Sequence, residues 1–285
     1  PKYELLYHPG IPGRGEFIRL ALESQKIPYT DIANPSSSSS SSAHENGYAT
    51  VQRICMNPHA LESAAGNPPV FSPPGLRVCF ASKGGQGREG EEGNRKTLVI
   101  SQTPNILIYL GEKIPGLVEE RERKKFWIQQ LMMTALDLNN EVHDTHHPIA
   151  VSAYYTDQKP ESLKKALDVR SNRIPKFLSY FERNLKWNAA ATATATGGKG
   201  GGEGAKHKYL VGNSLTYADT TVWQVLDGLQ FAFPKEMEAR SKEFPELLGT
   251  FYNSVKEELK EYLNSSRRLK YSQGVYRYYP ELDRQ

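Results

Sequence analysis

The stretch Leu5-Leu6-Tyr7-His8-Pro9-Gly10-Ile11-Pro12-Gly13-Arg14-Gly15-Glu16-Phe17-Ile18-Arg19-Leu20 decides the reading of this chain. Apolar residues ending in a tyrosine read as a strand, and the prolines and glycines that follow read as a turn. Arg14 then opens a helix whose apolar positions Phe17, Ile18, Ala21 and Leu22 recur at helical spacing. That order sets a phenol and a cation beside the first free N–H groups of a helix, where partial positive charge collects. Such a corner seats an anion, and a thiolate suits it.

Outward from this corner, the first part of the chain reads β-α-β: a strand over about Tyr3 to Tyr7, a helix over Gly15 to Gln25 and a strand near Pro28 to Ile32. Glu45 to Met56 is a further helix candidate. Leu76 to Phe80 and Thr97 to Ile100 read as a strand pair, and Thr103-Pro104 begins a helix with threonine as its cap and proline at its first position. Beyond about Pro115 the pattern changes to long helices over Glu119 to Val142, Pro160 to Asn184 with a break near Pro175, Thr216 to Phe231, and Phe244 to Leu263. Thr216 and Asp219 are spaced as a capping box. The fold class expected is therefore α/β plus all-α, with 1–113 forming the β-α-β-β-α domain and 114–285 the helical one.

Three stretches interrupt the pattern: the serine run near 35–44, the Gly/Glu-rich loop over 83–95, and the Ala/Thr- then Gly-rich tract over 189–208. Their composition buries too little apolar area to offset the entropy of ordering them, so they read as disordered surface insertions.

Composition excludes several functions. A net charge of +4 in 285 residues is too small to argue for nucleic acid, though it slightly favours anionic small molecules. The cluster Arg267-Arg268-Leu269-Lys270, with Tyr271, Tyr276, Arg277, Tyr278 and Tyr279 beyond, reads as a solvated tail packing its rings on the body. The two cysteines, Cys55 and Cys79, form no CxxC, which argues against a zinc site and dithiol redox chemistry. No apolar run has membrane-spanning length and the N-terminus lacks a signal-peptide layout, so a soluble cytoplasmic protein is expected.

Several short motifs follow one another in a telling order: Tyr7 with Gly13-Arg14, Phe71-Ser72-Pro73-Pro74-Gly75-Leu76, Ser101-Gln102-Thr103, Leu215 through Asp219, and Tyr278-Tyr279-Pro280-Glu281-Leu282-Asp283. In that order they resemble the cytosolic glutathione transferases over nearly the whole chain outside the insertions. The first and last motifs are most similar to fungal and bacterial members. The resemblance implies a thioredoxin-like glutathione-binding domain, a helical domain for a hydrophobic electrophile, and a homodimer. It implies conjugation of the glutathione thiol in detoxification, with glutathione as co-substrate and neither metal nor nicotinamide.

The residues agree with that chemistry. A free thiol titrates near ~8.5, and lowering this by about two units takes roughly 2.7 kcal/mol of preferential thiolate stabilisation. One charge-assisted hydrogen bond from a tyrosine hydroxyl near a helix N-terminus has that magnitude. Tyr7 matches the family's catalytic position; the alternative is a strand-end aromatic packing on the first helix. Tyr3 lies at the other end of the strand, and His8 on its opposite face. Arg14 would hydrogen-bond the tripeptide or support Tyr7, or be a surface arginine, in a turn one residue longer than in the commoner tyrosine classes. Gln102 and Thr103 match the pair that holds the γ-glutamyl end, although Thr103 would cap its helix in either case.

Pro73-Pro74 matches the family's cis-proline turn, with Pro74 as the cis residue. Pro68-Pro69 is the rival pair, but Pro73-Pro74 leads directly into the following strand. Pro73 lacks an N–H, so only its carbonyl can meet the cysteinyl part of glutathione. His143-Asp144-Thr145-His146-His147 puts His143 and His147 on one helix face. Without a further acidic or cysteine partner, helix termination beside the cleft is favoured over metal binding. Tyr154 and Tyr155 are placed either to line the electrophile pocket or to pack between helices. The family also contains non-catalytic modules, in the translation elongation factor gamma subunit and a yeast nitrogen regulator. A binding, scaffold or regulatory protein is therefore the alternative function.

Overall fold

The computed structural model describes residues 1–35, 41–80, 97–118, 122–195 and 208–285. The expected loop over 83–95 lies outside them, as do residues 36–40 of the serine run and 196–207 of the Gly-rich tract.

Strand β1 (Lys2–Leu6) leads through the glycine turn into α1 (Gly15–Ser24), and β2 (Tyr29–Asp31) and α2 (Ser41–Cys55) follow. The strands β3 (Gly75–Cys79) and β4 (Thr97–Ser101) complete a sheet of order β2-β1-β3-β4, after which α3 (Thr103–Lys113) begins. β1 runs parallel to β2 and antiparallel to β3, and β3 is antiparallel to β4. Alternation along β1 divides the core between the two faces. Tyr3 and Leu5 join the large cluster with α1 and α3, whereas Leu6 joins Val51, Ile54, Cys55 and Val99 beneath α2. Each of these leucines is fully buried, which stabilises the fold by about 1.5–3 kcal/mol per side chain.

The rest is helical: α4 (Glu122–His143), α5 (Lys159–Asp168), α6 (Ile174–Ala195), α7 (Tyr217–Ala232), α8 (Pro234–Arg240), α9 (Tyr252–Glu258) and α10 (Lys260–Leu263). A thioredoxin-like sheet domain thus precedes a helical domain. Among the described residues no helix is long and apolar enough to cross a membrane.

Three local expectations need correction. The serine run does not stop short of structure: Ser41 and Ser42 already belong to α2. Ala189 to Ala195 are helical too, completing α6. Alanine has the highest helix propensity, and Asn188 anchors this turn by bonding the carbonyls of Tyr209 and Gly212 at 2.9 and 2.8 Å. Pro175 does not break its helix. A π turn over Val169–Arg173 lies immediately ahead of it, and α6 continues past it. A further helix for which no expectation was made, α8, is capped at its N-terminus from the far end of the chain. The backbone N–H groups of Lys235 and Glu236 donate to the buried Asp283 carboxylate at 2.9 and 3.1 Å.

The capping box is present at α7. Asp219 accepts from the Thr216 backbone N–H at 2.8 Å and also from the Leu210 backbone N–H at 2.7 Å. One carboxylate therefore fixes both the helix start and the incoming loop.

The basic cluster near the C-terminus is not a solvated tail. α1 lies between the sheet and α7, so Glu16 and Arg19 are buried along with its apolar face. Arg268 reaches Glu16 at 2.5 Å and Asp227 at 2.8 Å, and the Tyr262 hydroxyl donates to Glu16 at 2.6 Å. Burial opposes ionisation of Glu16, but the charges of Arg268 and Arg19 outweigh it and hold the carboxyl below its usual range. Two domains are joined through this one buried carboxylate.

Candidate functional site

Strand register brings the site together. Leu6 pairs with Gly75, and Gly75 with Ser101. The next residue beyond each pairing is Tyr7 on β1, Pro74 on β3 and Gln102 on β4. Neighbouring strands lie about 4.8 Å apart, so these three stand in a row along one end of the sheet. The same end receives the N-termini of α1 and α3, both with free N–H groups and positive dipole ends. Residues nearly a hundred positions apart thus form one electropositive rim.

Tyr7 is 5% exposed, and its hydroxyl accepts the Arg14 backbone N–H at 2.8 Å. The turn wraps closely around the ring. A Cβ on Gly13 would fall 2.2 Å from the Tyr7 hydroxyl oxygen, and one on Gly15 2.7 Å from the ring carbons. Gly13 also has φ +45°, a conformation that favours glycine. Burial pushes the Tyr7 hydroxyl above its ordinary range, outweighing the Arg14 N–H bond and the charge of Arg19. The phenol is therefore protonated at neutral pH, a donor rather than a phenolate.

Arg14 divides its roles: its backbone holds Tyr7, while its half-buried guanidinium has no hydrogen bond or ion pair among the described residues. Arg19 was not singled out from the sequence, yet it is 1% exposed and sits 5.9 Å from the centre of the Tyr7 ring. It is held by Glu16 at 2.9 Å, Asp31 at 2.8 Å and the Pro12 carbonyl at 3.1 Å. The only sequence signal was a charged pair at i,i+3 spacing inside an apolar helix. Asn34 also escaped notice; its side-chain oxygen accepts the Gly10 N–H at 2.8 Å and pins the turn.

The Pro73–Pro74 peptide is cis, and both residues are buried. Gln102 is exposed, with φ +69° and ψ 118°, a strained conformation for a residue with a side chain. Such strain concentrates at ligand sites. Thr103 corrects its expected role. It is the first residue of α3 rather than the cap, and its side chain makes no capping bond. Its hydroxyl is buried without any hydrogen-bond partner, beside the free N–H groups of the helix start.

The histidines end α4 as expected. His146 Nε2–H donates to the Val275 carbonyl at 2.9 Å, and burial pushes the ring's pKa down to about 3. Among the described residues no group of three or more His, Cys, Asp or Glu is placed to hold a metal ion. Tyr155 packs between segments, stacking on Tyr279 at 3.9 Å and donating to Glu281 at 3.1 Å. Tyr154 instead stands 79% exposed at the mouth of a cleft between the end of α4 and the C-terminal segment.

Comparisons with known proteins agree with this geometry. Residues 143–266 match the family model described as glutathione S-transferase, C-terminal domain. A glutathione S-transferase of Plasmodium falciparum is 24% identical over 148 residues, covering 52% of this chain and 56% of the relative, about half of each. Among solved structures, the Pi-class glutathione S-transferase of Onchocerca volvulus superposes with a TM-score of 0.52 at 20% identity, covering 91% of each chain. Prostaglandin synthase D of Nilaparvata lugens gives a TM-score of 0.54 at 16% identity, covering 93% of this chain and 98% of its own. The two structures speak for the fold alone, and the family match and the curated relative each cover about half of the chain or less. With a sheet domain whose cis-proline turn and two helix N-termini converge beside Tyr7, the chain is similar in fold to these proteins along most of its length and matches the glutathione S-transferase C-terminal family model over residues 143–266.

Proposed function

We propose that the chain conjugates the glutathione thiolate to small hydrophobic electrophiles, with 1–113 holding glutathione and 114–285 the electrophile. The observation that carries this reading is the row of Tyr7, Pro74 and Gln102 at one sheet end, with the Thr103 hydroxyl buried there and unpartnered. In this reading Gln102, Thr103 and the α3 amides take the γ-glutamyl carboxylate. The Pro73 carbonyl accepts from the cysteinyl N–H, and the Arg14 guanidinium faces the tripeptide.

The neutral Tyr7 hydroxyl donates to the sulfur, since its own oxygen is already engaged by the Arg14 N–H. The thiol proton passes to water. A sulfur lone pair then forms the bond to the electrophilic carbon, and a leaving group, where there is one, departs with its electron pair. A cytoplasmic homodimer acting in detoxification, with no metal, completes the proposal.

Titrating glutathione into the protein while following thiolate ultraviolet absorbance tests it. The expected result is a bound thiol pKa about two units below the free value. A bound thiol with its ordinary pKa would leave Tyr7 without a catalytic role. Failure to bind immobilised glutathione, with no conjugation, would favour a scaffold.

A further inference from the structure

A cleft of about 610 Å³, lined by none of the residues of the row at the sheet end, lies between the end of α4 and the C-terminal segment. Its walls carry His143, His147, Tyr154 and Arg277, and among the described residues no carboxylate lines it. Two acids are bonded to residues of the wall. Asp144 lies beside the His143 ring at 3.3 Å, and Glu281 is bonded to Lys159 at 2.6 Å and to Tyr155 at 3.1 Å.

Arg277 is held in place by its Nε, which donates to the Gly274 carbonyl at 3.1 Å. The rest of its guanidinium has no hydrogen bond or ion pair among the described residues. A planar fork of free N–H donors matches a carboxylate in a bidentate geometry. The His143 and His147 rings stack beside it at 5.2 Å and add ring nitrogens to the same wall. Burial, then the charges of Arg277 and His143, hold His147 below its ordinary range. Tyr154 offers an aromatic face.

Gly274, whose carbonyl holds Arg277, neighbours the Tyr7 turn. A methyl on Gly274 would sit 3.9 Å from Ile11 Cδ1, within the turn that joins Tyr7 to Arg14. Through its bond to the Gly274 carbonyl, Arg277 is tied to the backbone that borders the segment leading to the phenol.

We propose that this cleft selects electrophiles bearing a carboxylate, with Arg277 as the specificity-determining residue that pairs with the anion beside His143 and His147. The proposal rests on the reading of Tyr7 as the thiolate donor site. A neutral aromatic electrophile would leave the guanidinium unpaired.

The test compares 4-chloro-3-nitrobenzoate with its methyl ester. With either compound the thiolate sulfur bonds to the ring carbon and chloride leaves with the electron pair. The ratio of kcat/KM for acid over ester is expected to exceed one, and to fall about tenfold in Arg277→Gln. Arg277→Lys should keep part of the ratio, because it keeps the charge without the fork. A ratio below one, or one that Arg277→Gln leaves unchanged, overturns the proposal. A second arm measures binding of 4-chloro-3-nitrobenzoate by calorimetry without glutathione. If neither compound is conjugated, the Tyr7 reading fails and this arm decides the anion site alone. Binding weakened about tenfold by Arg277→Gln upholds it, and absent or insensitive binding overturns it.

Discussion

The backbone N–H of Arg14 donates to the hydroxyl oxygen of Tyr7 at 2.8 Å, so the first turn of α1 aims the phenol. The bond fills an acceptor position and leaves the O–H for a ligand sulfur. Tyr7→Phe removes the donor but keeps the ring and its packing. Conjugation of 1-chloro-2,4-dinitrobenzene is expected to fall about 10- to 100-fold in kcat/KM, the value of one hydrogen bond to a charged group. The thermal midpoint should fall modestly, because the Arg14 N–H loses its acceptor, at a cost of about 1–3 kcal/mol. An unchanged rate would remove Tyr7 from the mechanism.

Gly15 bears on the same phenol from the other side. A Cβ there falls 2.7 Å from the Tyr7 ring, so Gly15→Ala must move either the ring or the turn. The overpacking costs about 1–3 kcal/mol, read as a lower urea midpoint. Activity should drop with it. A variant with wild-type stability and rate would show that the turn yields freely.

Thr103→Val separates ligand binding from folding. The Thr103 hydroxyl is buried and unpartnered, so removing it costs the empty protein nothing and relieves an unmet hydrogen bond. Stability is expected to hold or rise slightly. Glutathione affinity, measured by calorimetry, should weaken about tenfold, equivalent to about 1.4 kcal/mol. Loss of stability without loss of affinity would mean that the hydroxyl serves the fold.

Glu16 predicts a pH dependence. Its folded pKa lies below the ordinary value, so its contribution is fully present above the unfolded pKa near ~4.3 and disappears as pH falls through the folded pKa. Thermal midpoints measured from neutral to acid pH should therefore drop below about pH 4. Glu16→Gln leaves Arg19 and Arg268 without their shared carboxylate and is expected to cost about 3–5 kcal/mol at neutral pH. It should also flatten the acid slope. An equal acid slope in both proteins would locate the acid sensitivity elsewhere.

Asp219 makes a purely structural prediction. Asp219→Ala removes the acceptor of the Thr216 and Leu210 N–H groups, both buried. Loss of the cap and two unmet donors should cost about 2–4 kcal/mol, with unchanged affinity for glutathione in the fraction that remains folded.

Much of the architecture is written locally. The strand and helix periods of β1, α1 and β3 place these elements within a residue or two, and the Thr216–Asp219 spacing alone marks the start of α7. The Pro73–Pro74 turn was also legible, because it runs straight into β3. The errors are of one kind. Ala189 to Ala195 looked unstructured by composition, but the contacts of Asn188 extend α6 through them. Thr103 looked like a cap from its neighbour Pro104, yet the helix starts one residue earlier, at Thr103 itself, and the hydroxyl stays free.

The sequence by itself determined the order of elements, the wrapped turn after Tyr7 and the candidates at the sheet end, because hydrophobic period and turn chemistry act between residues a few positions apart. Tertiary structure alone decided the partners. Glu16 meets Arg268 across 252 residues, and Arg19 comes to lie over Tyr7 only because Asp31 and Glu16 hold it there. A buried charge takes its meaning from the opposite charge that packing delivers to it. No local pattern in the chain carries that information.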